Sequence, residues 1–189
     1  DDGSWSFDFG TATSPVADGY TKVVTSSLYT EELGWGITVP DGVTLFDRDR
    51  TGNRTPADPL AEDFVAGTSW GFLLDEVPTG EYDVTLTIGD ALATASGTNV
   101  TMTVEGVAAQ RLTSARGGTA TQTVRTVVED GQLTLAFTGS GLGAYVNGIV
   151  VAPVTPAAPS DLAIQRVLHN AVTIAWTASD GASGDTVQR

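Results

Sequence analysis

YDVTLTI, residues Tyr82–Ile88, decides the fold. Tyr82, Val84, Leu86 and Ile88 alternate with Asp83, Thr85 and Thr87, a period of two that a strand with one buried face satisfies and a helix does not. The same period recurs on both sides. Trp5, Phe7 and Phe9 alternate with Ser6 and Asp8 and stop at Gly10, and Val100, Met102 and Val104 repeat the pattern. Tyr20–Val24 reads as a short extended segment. Trp70–Leu74 reads as a strand closed by Pro78-Thr79-Gly80, and Val107–Leu112 and Ala144–Ala152 as two more. Asp130-Gly131 lies between the alternating runs Val124–Val128 and Leu133–Phe137, which predicts a hairpin, because a turn with positive φ matches strand twist. Leu60–Phe64 predicts a single helical turn. Roughly eight to ten short strands with almost no helix point to an all-β fold, an antiparallel jelly-roll β-sandwich over residues 1–152, whose first and last strands can pair.

Composition shifts at Pro153. Three prolines among small residues make 153–159 a semi-rigid linker. Beyond it, Leu162 and Ile164 alternate, as do Val172, Ile174 and Trp176. The Pro159-x-x-Leu162 start followed by Val172-Thr-Ile-Ala-Trp176 resembles the first two strands of a fibronectin type III domain, and 186–189 the start of its third. Asp185 stands where that family usually carries a nearby aromatic. On this resemblance 160–189 is the N-terminal part of such a domain, short of the ~7 strands of a complete sandwich.

The chain has nine Lys and Arg against 23 Asp and Glu, a net charge of −14. Phosphate binding needs clustered cations, so nucleic acid is excluded as a partner, and so is an anionic membrane surface. There is no Cys, which removes disulfides, zinc–thiolate sites and a thiol nucleophile. No apolar run approaches the ~20 residues of a membrane span. The start at Asp1-Asp2-Gly3-Ser4 reads as a trimmed mature end.

Catalytic signals are sparse. The one histidine, His169, falls between two strands of the fibronectin-like segment, away from any serine on the first domain. After Gly89-Asp90 an alanine, Ala91, stands where an esterase block would place its serine, and neither HExxH nor GxSxG occurs. Adjacent acids (Glu31-Glu32, Asp47 and Asp49, Glu62-Asp63, Asp75-Glu76) read as solvated surface, since a glycosidase needs two across a cleft. Calcium takes mixed carboxylate and carbonyl oxygens. A structural Ca²⁺ site, if one exists, is composite and pairs an N-terminal acid such as Asp8 with a distant loop or strand.

One stretch concentrates functional residue types: YTEELGWGITVPDGVTLFDRDRTGNR, Tyr29–Arg54. Arg48, Arg50 and Arg54 supply a third of the chain's positive charge within seven residues. Sugars stack their C–H faces on Trp or Tyr rings, and the planar fork of Arg suits hydroxyl edges and a uronic carboxylate. Trp35 stands between Gly34 and Gly36, so its ring either lies open or serves the core beside a tight turn. The arginines either focus positive charge or pair with Asp47, Asp49 and Asp58. The stretch precedes the regular strands and reads as a long surface excursion.

FDFGT from Phe7, GY-T-KV, LYTEELGWG, DRDR, L-x-x-DFV, VPTGEYDVTLTIGD and the closing AYVNGIVVAPV together resemble one kind of module. It is the galactose-binding-like β-sandwich found ahead of the catalytic domain in bacterial rhamnogalacturonan acetylesterases and related pectin-degrading lyases. The resemblance covers about residues 5–153. It implies a non-catalytic carbohydrate-binding module of a secreted, extracellular bacterial enzyme, with a polysaccharide ligand of pectic type and a downstream catalytic domain in the same parent chain. Tyr29, Trp35, Arg48 and Asp49 fall on the module's signature segments. With Arg50 and Arg54 they form the expected carbohydrate site. Two rival readings are a spacer that only buttresses the catalytic domain, and a β-sandwich polysaccharide lyase in which Tyr29 or Tyr145 and an arginine converge in one cleft.

Overall fold

The computed structural model describes residues 3–54, 56–141, 143–155 and 160–177. Two compact units divide at Pro153: Asp1–Pro153 and Val154–Arg189.

The first unit is a sandwich. One sheet runs, edge to edge, β11 (Thr119–Val128), β7 (Gly80–Gly89), β14 (Gly148–Pro153), β1 (Trp5–Phe9) and β2 (Thr21–Val23). The facing sheet runs β10 (Leu112–Thr113), β8 (Asn99–Val104), β12 (Gln132–Gly139), β6 (Ser69–Asp75) and β3 (Trp35–Thr38), with β9 (Val107–Ala108) paired to β8. A small third sheet runs β13 (Ala144–Val146), β5 (Asp63–Gly67) and β4 (Phe46–Asp49). Neighbouring strands are antiparallel except β1 and β2.

The alternation read in Tyr82–Ile88 builds the core. Tyr82, Val84, Leu86 and Ile88 are buried, and the partner β14 adds Ile149 and Val151. Phe7 and Phe9 of β1 meet Phe72 of β6 edge to face at 4.7 and 5.4 Å, so the two sheets interlock through aromatic edges. Trp70 is fully buried and donates its indole N–H to the carbonyl of Ala144 at 3.2 Å, which satisfies the polar edge of a large apolar side chain. The first and last strands of the sandwich pair, Trp5 opposite Val151 through Asp8 opposite Gly148.

Five local expectations change. Asp130-Gly131 does turn the chain, with Gly131 at φ +86°, but no hairpin forms. β11 pairs β7 in one sheet and β12 pairs β6 and β8 in the other. An Asp-Gly pair specifies the bend and not the partner. Leu133, Leu135 and Phe137 are buried in the second sheet, across the core from Val128. At Leu60–Phe64 only Pro59–Ala61 is helical, as a 3₁₀ turn, and Asp63 already starts β5. Val107–Leu112 and Ala144–Ala152 each split in two. The second splits at Asn147, whose N–H bonds Thr87 and whose carbonyl accepts from Phe9. Tyr29–Arg54 is not all excursion, because it contributes β3 and β4, one edge strand to each of two sheets.

In the second unit β15 (Ser160–Leu168) and β16 (Ala171–Thr177) form an antiparallel hairpin turned at His169-Asn170, and Leu162, Ile164, Val167 and Val172 are exposed. Linker residues 156–159, and 178–189 of the fibronectin-like reading, lie outside the described residues.

Candidate functional site

The third sheet positions the most developed cleft. Alternation along β4 and β5 turns Phe46 and Phe64 to one side, and Tyr145 of β13 joins them. Phe64 and Tyr145 meet at 4.5 Å, Phe46 and Tyr145 at 5.9 Å, both edge to face. The three rings floor an open cavity of about 540 Å³, within the range of ligand pockets. Its walls are the Asp90–Asn99 segment and Ser140-Gly141.

Two of the expected arginines reach this cleft, and they do different work. Arg50 forks onto Asp90, Nε to Oδ1 at 2.8 Å and Nη2 to Oδ2 at 2.9 Å, and Asp90 also accepts the Leu92 N–H at 2.9 Å. This half-buried pair ties β4 to the wall loop, and its hydrogen bonds hold the Arg50 guanidinium even more firmly protonated. Arg48 is exposed. Its guanidinium lies 5.0 Å from the Phe46 ring centre, and among the described residues Nη1 donates only to the Asp47 carbonyl at 2.6 Å. On the far rim Asn99 and Ser140 bond each other, Nδ2 to Oγ at 2.8 Å. Burial, then the Asp90 charge, raises the Tyr145 phenol above its ordinary value, against a lowering by the two arginines.

The other expected site residues are elsewhere. Trp35 is half-buried and packs on Phe7 at 5.2 Å and Phe72 at 6.1 Å, so of its two readings the core one holds. Tyr29 donates its hydroxyl to Asp75, which pushes the phenol up to about 12. Trp35 pairs with Leu74, and Asp75 with Gln132 at the start of β12. Ser140 follows that strand's other end, roughly 26 Å away at ~3.3 Å per residue. Asp49 has its carboxyl lowered by hydrogen bonds from Thr51, first the side-chain hydroxyl and then the N–H at 2.7 Å, a turn contact. Arg54 bonds Asp58 at 3.5 Å and lines a separate, shallower hollow with Asn53 and Gly117. Buried Glu62 fixes that loop by accepting the Gly52 and Arg54 N–H groups.

Asp8 sits in a different environment, fully buried beside Asp63, the first residue of β5. Asp8 accepts the Ala17 N–H at 2.7 Å, Asp63 accepts the Ser14 hydroxyl, and the Lys22 ammonium donates to the Ser14 carbonyl. Burial raises both carboxyls, Asp63 to about 8. Asp8 Oδ1, Asp63 Oδ1 and Asn147 Oδ1 are buried with no N–H or hydroxyl donor on them among the described residues, and a proton on one of the two acids bonds it to the other. No group of three or more His, Cys, Asp or Glu among those residues is placed to hold a metal. The orphaned oxygens are two carboxylate and one amide, a donor set that fits a hard cation if backbone carbonyls complete its shell.

Sequence alone does not mark Phe46, Phe64, Asp90, Asn99 or Ser140 as carbohydrate-site residues. Arg50 and Asp90 lie 40 residues apart, and no local pattern links them.

A family profile described as beta-agarase/YXIM esterase-like, galactose-binding domain-like matches residues 5–147. A search of curated proteins found no match. Among solved structures, protein YXIM from Bacillus subtilis is 24% identical with a TM-score of 0.61, over 80% of this chain and 40% of that one. A calcium-binding mutant of beta-glucuronidase 2 from Bacteroides uniformis is 13% identical with a TM-score of 0.56, over 80% of this chain and 18% of the other. These likenesses are of fold, and the chain spans less than half the length of either structure. With a profile matching from the first strand to the Asn147 bend, the chain belongs to the beta-agarase/YXIM esterase-like, galactose-binding domain-like family.

Proposed function

We propose that the chain is a non-catalytic carbohydrate-binding module of a secreted, extracellular bacterial polysaccharide-degrading enzyme, and that it targets plant cell-wall glycans of the pectic, rhamnogalacturonan type. The cleft carries this reading. An open, aromatic-floored hollow with an exposed arginine on one side and a carboxamide–hydroxyl pair on the other offers a sugar ring a stacking face and hydroxyl partners. A spacer has no need of such a concave aromatic site. Family membership supports the location beside a catalytic domain, since the family's description names agarase- and esterase-like proteins. The net charge of −14 disfavours nucleic acid and anionic membranes as partners.

The test is titration of the chain with rhamnogalacturonan and galactan oligosaccharides beside cellulose and xylan controls. Pectic binding that falls about tenfold in Tyr145→Ala, ~1.4 kcal/mol, is the expected result. Unchanged affinity in the variant takes the site out of the cleft, and no binding to any glycan ends the reading.

One observation favours the lyase reading: Tyr145, Arg48 and Arg50 do share a cleft. The Tyr145 phenol is pushed up, however, the wrong direction for a group that must lose its proton to act as a base. A flat absorbance trace for unsaturated products on pectin and alginate is therefore expected.

A structural Ca²⁺ held by Asp8, Asp63 and Asn147 is the cofactor we propose, on the strength of their three orphaned buried oxygens. It would cross-link β1, β5 and the Asn147 bend.

A further inference from the structure

We propose that the cleft reads a carboxylate, and that Arg48 is the residue that reads it, so that the favoured sugar is a hexuronic acid unit in its free-acid form. This inference rests on the carbohydrate reading above and adds to it the charge of the bound unit.

Three observations carry it. The chain has 23 acidic side chains, yet among the described residues the cleft lining holds one, Asp90, and two arginines. Asp90 is neutralised in place, with both its oxygens bonded to Arg50 and one also to the Leu92 N–H. The remaining charge on the cleft is therefore the guanidinium of Arg48. That group has no carboxylate within ion-pair distance among the described residues and spends one Nη1 donor on a neighbouring carbonyl. Among the described residues Arg50, Arg54 and Arg125 each pair with one carboxylate, whereas Arg48, like Arg111, Arg116 and Arg166, pairs with none, and of these four it is the one that lines the cleft.

The geometry also places it. Its guanidinium lies over the Phe46 ring, 5.0 Å from the ring centre, a contact that anchors the charge at the cleft. Arginine's fixed fork matches a carboxylate in two parallel hydrogen bonds, a fit that a neutral hydroxymethyl or methyl ester cannot reproduce. The ring of the same sugar unit has the Tyr145 and Phe46 faces and edges beside it, and the Asn99–Ser140 pair can meet hydroxyls across the cleft. Arg50 cannot take this role without releasing Asp90.

The experiment is calorimetric titration of the whole chain with tri-galacturonate, with its fully methyl-esterified form, with a glucuronate-decorated xylo-oligosaccharide and with neutral galactan. Each is run on wild type, Arg48→Gln and Arg48→Lys. The free acid should bind at least tenfold more tightly than its ester. That preference should vanish in Arg48→Gln, survive in part in Arg48→Lys, and shrink as salt rises. Preference for either the galacturonate or the glucuronate acid supports the inference and names the sugar. Equal affinity for acid and ester in wild type overturns it while leaving carbohydrate binding intact, as does an equal loss for both in Arg48→Gln. Failure to bind any of the four removes the carbohydrate reading itself and this inference with it.

Discussion

The stretch Tyr29–Arg54 feeds two aromatic trios with opposite fates. Trp35 joins Phe7 and Phe72, and Phe46 joins Phe64 and Tyr145. Both trios have ring separations of about 4.5 to 6.5 Å and both begin on an edge strand. They differ in what lies over them. β3 is the edge of a sheet that faces a second one, so the Trp35 ring is caught between Phe72 of its own sheet and Phe7 of the other. β4 is the edge of the small third sheet, and over its rings stands an open cavity rimmed by Arg48, Asn99 and Ser140. An aromatic residue becomes core or platform according to whether a second layer covers it, and residue type does not decide which.

The largest effect that could break this contrast is at Trp35. Trp35→Ala removes a large, half-buried ring packed on two phenylalanines and should cost about 3 kcal/mol, since truncating core aromatics costs ~3–5 and this ring is partly exposed. Chemical denaturation should show the loss, while glycan affinity of the folded variant stays at the wild-type value. A variant of normal stability and lost affinity would return Trp35 to the binding site.

Sequence reading recovered the sandwich because its signal is local. Period-two alternation in Tyr82–Ile88 and Val100–Val104 directly reports which face is buried. It misread Asp130-Gly131, where the residue pair encodes the turn but the partner of each strand is set by packing across the core. At the candidate site, Arg48 and Arg50 were legible as cations in an acidic chain. Their separate roles were not, because Asp90 arrives from another loop. Trp35 was ambiguous between glycines for the same reason, since Phe7 and Phe72 lie far from it in sequence.

The buried acids test how tightly the third sheet is held. Asp63 begins β5 and the next residue, Phe64, lines the cleft, so the Asp8 cluster and the cleft floor share a strand. In chelator, the folded state keeps Asp63 protonated up to about pH 8, far above its ordinary value. The folded chain then binds more protons than the unfolded one between those values. Stability should fall as pH rises through that window, and Asp63→Asn should flatten the slope. Ca²⁺ in place of the proton should raise stability at pH 7–8, by roughly 2.7 kcal/mol at a hundred times its dissociation constant. Hydrogen exchange should slow in β5 and not in β3. No response to Ca²⁺, with the pH slope intact, would leave a shared proton as the whole explanation of the cluster.

The Arg50–Asp90 fork separates wall from ligand contact. Asp90→Ala leaves a half-buried guanidinium unpaired and frees the Leu92 N–H, for a cost of about 2 kcal/mol. Binding of acidic and esterified ligands should weaken by the same factor, because the wall loosens for both while Arg48 keeps its discrimination. A loss confined to the acid would make Arg50, once released, a second reader of charge.

The smallest effect is expected at Arg54, and it bears on how far the cleft extends. Arg54 pairs with exposed Asp58 at 3.5 Å and touches the Thr119 hydroxyl at 3.4 Å. Exposed pairs of this kind contribute ~0–1 kcal/mol, so Arg54→Ala should shift the denaturation midpoint by a few tenths of a kcal/mol at most. Among the described residues its hollow shares no lining residue with the main cleft, which is why affinity for a trisaccharide should not change. A longer chain is the sharper probe. If an oligosaccharide of six or more units loses affinity in Arg54→Ala while the trisaccharide does not, the two hollows act as successive subsites along one polysaccharide. The third of the chain's positive charge that is concentrated between Arg48 and Arg54 would then serve a single extended anionic ligand.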